Sequence, residues 1–120
     1  MLPFGRRYEL RVYVEPTGRA PSAEWFRRLE AVTAARIDEY LRRMRAGSFR
    51  NSKFIGDGVR EVRLDFGPGW RVFYGQDSRD RLILPAGGEK GAPAADIARA
   101  KRRWSDFPAR GKGGVSLQWS

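Results

Sequence analysis

The sequence predicts an α+β fold with the element order β-α-α-β-β-β-α. Two N-terminal helices are expected to pack on a four-stranded, mostly antiparallel sheet, followed by a C-terminal helix and a basic tail. Three observations lead to this fold: segments that alternate apolar and polar residues, segments with apolar residues at helical spacing, and glycine–proline clusters between them. A chain of 120 residues has the length of one ordinary domain. We expect that domain to span residues 1–108 and a flexible basic tail to span residues 109–120.

The first strand is predicted over residues 8–15, which read YELRVYVE. Every second residue is apolar, and this alternation indicates a strand with one buried face. Its buried side chains would be Tyr8, Leu10, Val12 and Val14. The following segment, PTGRAP, contains prolines and a glycine that end the strand.

Two helices are predicted next. Ser22 is a candidate N-cap for the first helix, whose apolar side would comprise Trp25, Phe26, Leu29 and Val32. The second helix would begin near Thr33 and end at Gly47. Its core stripe would be formed by Ile37, Tyr40, Leu41 and Met44. Its opposite side carries four arginines and is interpreted as a solvated face: Arg36, Arg42, Arg43 and Arg45.

Three strand signals follow the polar link GSFRNSKFIGDG. In VREVRLDF, alternation places Val62, Leu64 and Phe66 on one face and Glu61, Arg63 and Asp65 on the other. WRVFYG comes after a Gly-Pro-Gly turn, and RLILPAGG comes after a short polar turn. Short loops between the three strands predict an antiparallel meander. Pro85 is expected to weaken or end the last strand, because proline cannot donate to a strand ladder.

The last helix is predicted to begin near Pro93, at the first helical position, and to end at residues 106–108. Its buried stripe would be Ile97, Ala100 and Trp104. Beyond it, Val115, Leu117 and Trp119 alternate with polar residues. Either a short C-terminal strand or a partner-binding tail would fit that alternation.

The composition excludes several kinds of site. The chain has no cysteine and no histidine, so it lacks disulfides, thiolate ligands, the usual general base and the commonest metal ligand. No residue spacing indicates a metal site, and no cofactor is expected. No apolar run approaches the ~20 residues that span a bilayer, and the N-terminus lacks a signal-peptide pattern, so we expect a cytoplasmic protein.

The charge of the chain indicates an anionic partner. Lys and Arg number 24 against 14 Asp and Glu, a net charge of +10, and 20 of the 24 are arginine. Guanidinium groups pair with phosphate oxygens in a bidentate fork and stack on bases. The charge by itself fits a nucleic-acid partner about as well as its alternatives, an ordinary solvated surface or a face for an acidic protein partner.

Five sequence blocks occur in one order at close spacing: SAEWFRRL, ARIDEYLRRMRAGSF, GDGVREVRLDFGPGWRVFYG, GGEKG and DIARAKRRW. Together they resemble the RelE/ParE toxin superfamily, and specifically its HigB-like group of addiction-module killer proteins. The resemblance covers residues 8 to about 104. It implies the toxin of a type II toxin–antitoxin system.

The resemblance leaves two activities open. RelE-type toxins are ribosome-dependent endoribonucleases that cut messenger RNA by attack of a ribose 2′-OH on the adjacent phosphate. ParE-type toxins are instead growth inhibitors that bind DNA gyrase without being enzymes. In the HigB-like group the partner is a cognate antitoxin that tends to be a helix-turn-helix DNA-binding protein. No membrane is implied.

The resemblance also implies the site residues. Arg63, Arg71 and Lys90 match the catalytic cations of the RelE-type pattern. A glutamate, Glu61, stands where that pattern has a lysine, and Asp96 is nearest to the place of its missing tyrosine. Proton transfer would then come from one of four residues: Lys53, Glu61, Tyr74 or Glu89. RNA contacts would come from Lys53, Arg60, Arg63 and Arg71. We expect the Arg71 guanidinium to face outward over Trp70 or Phe73, so that its loss would change stability by no more than about 0.5 kcal/mol.

Overall fold

A computed structural model describes residues 7–88, 93–109 and 116–118. Six strands and three helices lie in these ranges. The elements are β1 (Glu9–Tyr13), α1 (Pro21–Arg27), α2 (Ala31–Arg45), β2 (Ser52–Gly56), β3 (Val59–Arg63), β4 (Arg71–Ser78), β5 (Arg81–Gly88), α3 (Pro93–Ala109) and β6 (Ser116–Gln118).

The strands form one sheet in the order β2-β3-β4-β5-β1-β6. All neighbours are antiparallel except β1 and β5, which are parallel. The α+β class, the mostly antiparallel sheet and the meander of β3, β4 and β5 are therefore confirmed. The predicted number of four strands is wrong. Part of the segment expected to be a flexible tail, Ser116–Gln118, pairs with β1 as strand β6.

Strand β2 lies in the segment that the sequence analysis interpreted as a polar link, and so it was not predicted. It forms a hairpin with β3, in which Gly56 lies opposite Val59. The two loop residues, Asp57 and Gly58, have φ of 54° and 81°. An Asp-Gly pair with both φ values positive is a typical two-residue hairpin turn. That dipeptide was the signal by which the sequence could have predicted the strand.

The sheet is covered on both faces. Helices α1 and α2 pack on one face, where the buried side chains include Leu10, Ile37, Leu41, Val62 and Val72. Helix α3 packs on the other face through Ala100 and Phe107, which contact Phe73, Ile83 and their neighbours. The buried stripe predicted for α3 is confirmed in Ala100, with Ile97 and Trp104 partly buried beside it.

Several local predictions about the helices are corrected. Ser22 is not an N-cap: α1 begins at Pro21, and the buried Ser22 hydroxyl donates to the Leu84 carbonyl oxygen at 2.8 Å. Val32 is 75% exposed because it lies in the first turn of α2 and not at the end of α1. Gly47 does follow the α2 cap with φ of 93°, as predicted. Helix α3 begins at Pro93 as expected and extends to Ala109.

Pro85 does not end strand β5. The pairing register between β4 and β5 shifts between Phe73 and Gly75, so Pro85 falls at a bulge, where a missing N–H is tolerated. Its carbonyl oxygen accepts a hydrogen bond from Arg103 Nη1 at 3.1 Å. In the ranges that the structure describes, no helix is long and apolar enough to cross a membrane.

Candidate functional site on the α3 face of the sheet

Four of the predicted site residues share one face of the sheet. Lys53 on β2 lies opposite Glu61 on β3, and Arg63 on β3 lies opposite Arg71 on β4. Because side chains alternate along a strand, Glu61 and Arg63 point to the same side, toward α3. Arg63 and Arg71 therefore lie side by side on this face. Lys90 and Glu89 fall outside the described residues.

Arg71 is buried, and this corrects the expectation that its guanidinium faces outward. The residue is 4% exposed, and the two carboxylates beside it, Glu61 and Asp96, are 3% and 8% exposed. Arg71 Nη2 donates to Asp96 Oδ2 at 3.0 Å, and Nη1 lies 3.8 Å from Glu61 Oε2. The sequence pattern gave the correct face of β4 but did not reveal that α3 covers it.

These three residues form the centre of a chain of alternating charges. At one end, Lys53 Nζ lies 3.9 Å from Glu61 Oε1; at the other, Arg99 Nη1 donates to Asp96 Oδ1 at 2.9 Å. The order is Lys53–Glu61–Arg71–Asp96–Arg99, with both end cations more exposed than the centre. A buried charge is tolerated when it is paired in this way. We refer to these five residues as the ion chain.

A glycine makes room for the ion chain. Gly88 lies opposite Arg71 in the sheet, and a Cβ added at Gly88 would come within 2.5 Å of Asp96 Oδ2. The glycine therefore lets the α3 carboxylate reach across β5 to the β4 guanidinium. Sequence reasoning recorded Asp96 only as the residue nearest to a missing tyrosine. The Gly87-Gly88 pair was the signal for a close approach at this point.

An open cleft of about 370 Å³ lies beside the ion chain, and we call it the edge cleft. Six residues with polar side chains line it: Asn51, Ser52, Lys53, Glu61, Arg63 and Asp65. Lys53 and Arg63 are exposed there, whereas Glu61 forms part of the inner wall. The two cations can bind a phosphate, and the carboxylate beside them can accept a proton from a neighbouring group.

At the rim of the edge cleft, the Tyr40 hydroxyl donates to Asp65 Oδ1. This hydrogen bond lowers the pKa of the Asp65 carboxyl below its usual range and raises the pKa of the Tyr40 hydroxyl. Asp65 is therefore held ionised at neutral pH.

Arg60 and Tyr74 lie on the opposite face of the sheet from Arg63. They are partners in the register between β3 and β4, and the Tyr74 hydroxyl is hydrogen-bonded to Ser52 Oγ at 2.7 Å. Burial raises the pKa of the Tyr74 hydroxyl, so it stays protonated at neutral pH. Arg60 stacks over the exposed ring of Phe54 at 5.6 Å. Neither residue reaches the edge cleft. Within the described ranges, no group of acidic residues could hold a metal ion.

The region of the chain that is similar to known proteins includes this site. The family model described as "Phage derived protein Gp49-like (DUF891)" matches residues 24–105, a range that contains the edge cleft and the whole ion chain. A protein of Haemophilus influenzae described as "uncharacterized" is 35% identical over 78 residues. The match covers 64% of this chain and 79% of that protein.

Proposed function

The chain belongs to the Gp49-like family, a RelE/ParE-like toxin family of toxin–antitoxin systems, and we propose that it is a ribosome-dependent endoribonuclease that cuts messenger RNA. A toxin of this family implies a cognate antitoxin. The growth-inhibiting activity would then be translation arrest. We propose that this antitoxin is a helix-turn-helix protein encoded beside the toxin. Expression of the adjacent small gene together with the toxin should then relieve growth arrest.

The observation that carries the proposal is the edge cleft, where Lys53 and Arg63 are exposed beside the Glu61 carboxylate. Cleavage of an internal phosphodiester builds negative charge on the phosphate oxygens in the transition state. Cations fixed at that position stabilise the charge without reorganising, which is the largest single contribution in many enzymes. Arg63 offers a planar fork suited to two of those oxygens.

The reaction needs one proton acceptor and one proton donor. The ribose 2′ oxygen forms a bond to phosphorus while its proton passes to the Glu61 carboxylate. The bond between phosphorus and the 5′ oxygen breaks, and that oxygen takes a proton from the Lys53 ammonium group. The products are a 2′,3′-cyclic phosphate and a 5′-hydroxyl end. No metal or cofactor enters this scheme.

Arg71 takes a different role from Arg63 in this proposal. Unlike Glu61, Arg71 does not line the edge cleft, and it is buried, so it does not contact a phosphate bound there. Its 3.8 Å ion pair holds the Glu61 carboxylate in place, so it is a positioning residue. Lys90, which the resemblance places in the loop before α3, and Glu89 beside it remain predictions.

Primer extension on induced cells tests the activity. It should show discrete cuts in translated messages. The upstream fragment of each cut should end in a 2′,3′-cyclic phosphate. Arg63→Ala should slow cleavage by about 10²–10³, the effect of removing one preorganised donor to a developing oxyanion. The matched control is Arg42→Ala, which removes an equal charge from α2, where the Arg42 side chain is 61% exposed. Equal cleavage by both variants would exclude the edge cleft as the active site.

One observation favours a second candidate, a non-enzymatic poison that binds DNA gyrase or another protein. The Arg71 guanidinium, which RelE-type chemistry would use, is already paired with two carboxylates, Glu61 and Asp96. A protein-binding toxin needs no accessible arginine at that place. Induced DNA damage with intact messages would establish this candidate and reject the nuclease.

A further inference from the structure

A second and larger cleft, of about 770 Å³, lies where the C-terminal end of β5 meets α1 and α3. This volume is within the ~300–1,000 Å³ of typical ligand sites. The side chains that give it its character are Trp25, Trp70, Arg19, Arg28, Arg99 and Arg103. We call it the arginine–tryptophan cleft. It plays no part in the reaction proposed above.

Its apolar walls are two indole rings. Trp25 and Trp70 are partly buried, with ring centroids 6.1 Å apart and planes at 67°. Gly87 leaves the space that the Trp25 indole occupies, because a Cβ added at Gly87 would lie 2.4 Å from Trp25 Cε3. The indole can therefore lie directly over β5 and present aromatic surface to the cleft.

The remainder of the lining is cationic. Four arginines line the cleft against two carboxylates, Glu24 and Asp96. Each carboxylate already accepts from an arginine: Glu24 from Arg19 at 2.6 Å, and Asp96 from Arg99 at 2.9 Å. Arg103 lies 4.0 Å from the Glu15 carboxylate, whereas Arg28 is exposed and can receive an anion.

We propose that the arginine–tryptophan cleft binds single-stranded RNA, with a base on the tryptophan surface and its phosphate on Arg28. Aromatic side chains that stack bases, combined with cations along the backbone, are the usual means of binding single strands. One residue connects this cleft to the ion chain: Asp96 lines the cleft and is also the partner of Arg71. This inference rests on the proposed function.

An acidic segment of the antitoxin is the competing occupant. A peptide carboxylate would satisfy the arginines, but it would leave the indole surfaces without a flat partner. A nucleotide uses both the charge and the aromatic planes, and so the composition of the cleft favours RNA.

Neighbouring arginines provide the test. Arg27 and Arg28 are both exposed and carry the same charge, but only Arg28 lines the cleft. A fluorescein-labelled single-stranded oligoribonucleotide with 2′-O-methyl groups cannot be cleaved, so its anisotropy measures binding alone. Arg28→Ala should weaken binding and reduce the slope of log K against log salt by about 0.7, the value for one phosphate contact on a single strand. Arg27→Ala should leave the slope unchanged.

Trp70→Ala tests the stacking surface, with thermal melting to establish that the variant is folded. Loss of one stacked base should weaken binding about 5- to 150-fold. Equal salt slopes for Arg28→Ala and Arg27→Ala would overturn the inference. Message cleavage is assayed separately. A chain that binds the oligonucleotide in this cleft but cuts no message would retain the inference and reject the nuclease. If Arg28→Ala cuts messages and binds the oligonucleotide as well as the parent chain does, the inference is rejected and the nuclease is retained.

Discussion

Removing Arg71 should destabilise the fold strongly, in contrast to the expectation from the sequence. Arg71→Ala leaves Glu61 and Asp96, 3% and 8% exposed, without the guanidinium that lies between them. Breaking a buried ion pair in this way costs about 3–5 kcal/mol. At about 2.1 cal/mol/K per residue, a chain of 120 residues has an unfolding entropy of about 0.25 kcal/mol/K. The melting temperature should therefore fall by about 12–20 °C.

Thermal melting followed by circular dichroism measures this effect. The control is Arg42→Ala, because Arg42 also pairs with a carboxylate, Asp38 at 3.6 Å, but the two side chains are 61% and 34% exposed. It should cost less than about 1 kcal/mol, as exposed pairs do. Replacing the whole buried group by apolar residues, as Arg71→Met with Glu61→Leu and Asp96→Leu, should recover most of the stability.

An Arg71→Ala protein that melts within about 2 °C of the parent chain would refute this reasoning. It would mean that water reaches the two carboxylates and compensates for the missing guanidinium. A large loss of stability has a practical consequence as well. Loss of toxicity in Arg71→Ala would then report unfolding and would say nothing about catalysis.

Three further predictions concern the packing and the titration of the fold. Gly87→Ala should destabilise by about 1–3 kcal/mol in chemical denaturation, because its Cβ would overlap the Trp25 ring; an unchanged midpoint would contradict this. Ser22→Ala should cost about 1–3 kcal/mol by the same measurement, since it leaves the buried Leu84 carbonyl without its hydroxyl donor. Burial raises the pKa of the Tyr74 hydroxyl, so the unfolded chain ionises first and stability should fall as pH rises above about 10. Tyr74→Phe should flatten that alkaline decline, and an equally steep decline in the variant would argue against it.

The control arginine for activity assays also follows from the structure. Arg36 belongs to the helix face interpreted as solvated, yet its guanidinium lies 4.2 Å from the centre of the Phe66 ring. A cation–π contact of that kind contributes about 0.5–1 kcal/mol at an exposed site. Arg42, whose contact is a 3.6 Å surface pair with Asp38, is therefore the cleaner control.

Patterns of short range predicted much of the fold. Alternation placed Val62 and Leu64 on the core face and Arg63 on the opposite one, because the period of two is a property of any strand. Gly47 ended α2 because only a residue tolerant of positive φ fits there. Strand β2 escaped prediction because its apolar residues, Phe54 and Ile55, are adjacent and do not alternate.

The sequence by itself determined which residues share a face, where the turns lie and which family the motifs resemble. It could not determine whether a face is open or covered, because the alternation of an exposed strand and of a strand under a helix is the same. Arg71 has the pattern of a surface cation and is buried only because α3 returns across β4 and β5. The pair that fixes it, Arg71 with Asp96, joins residues 25 positions apart in the chain. Contacts at such separation depend on how helices and sheet pack, and so only the tertiary structure decided that Arg71 is buried between two carboxylates while Arg63 and Lys53 face the solvent.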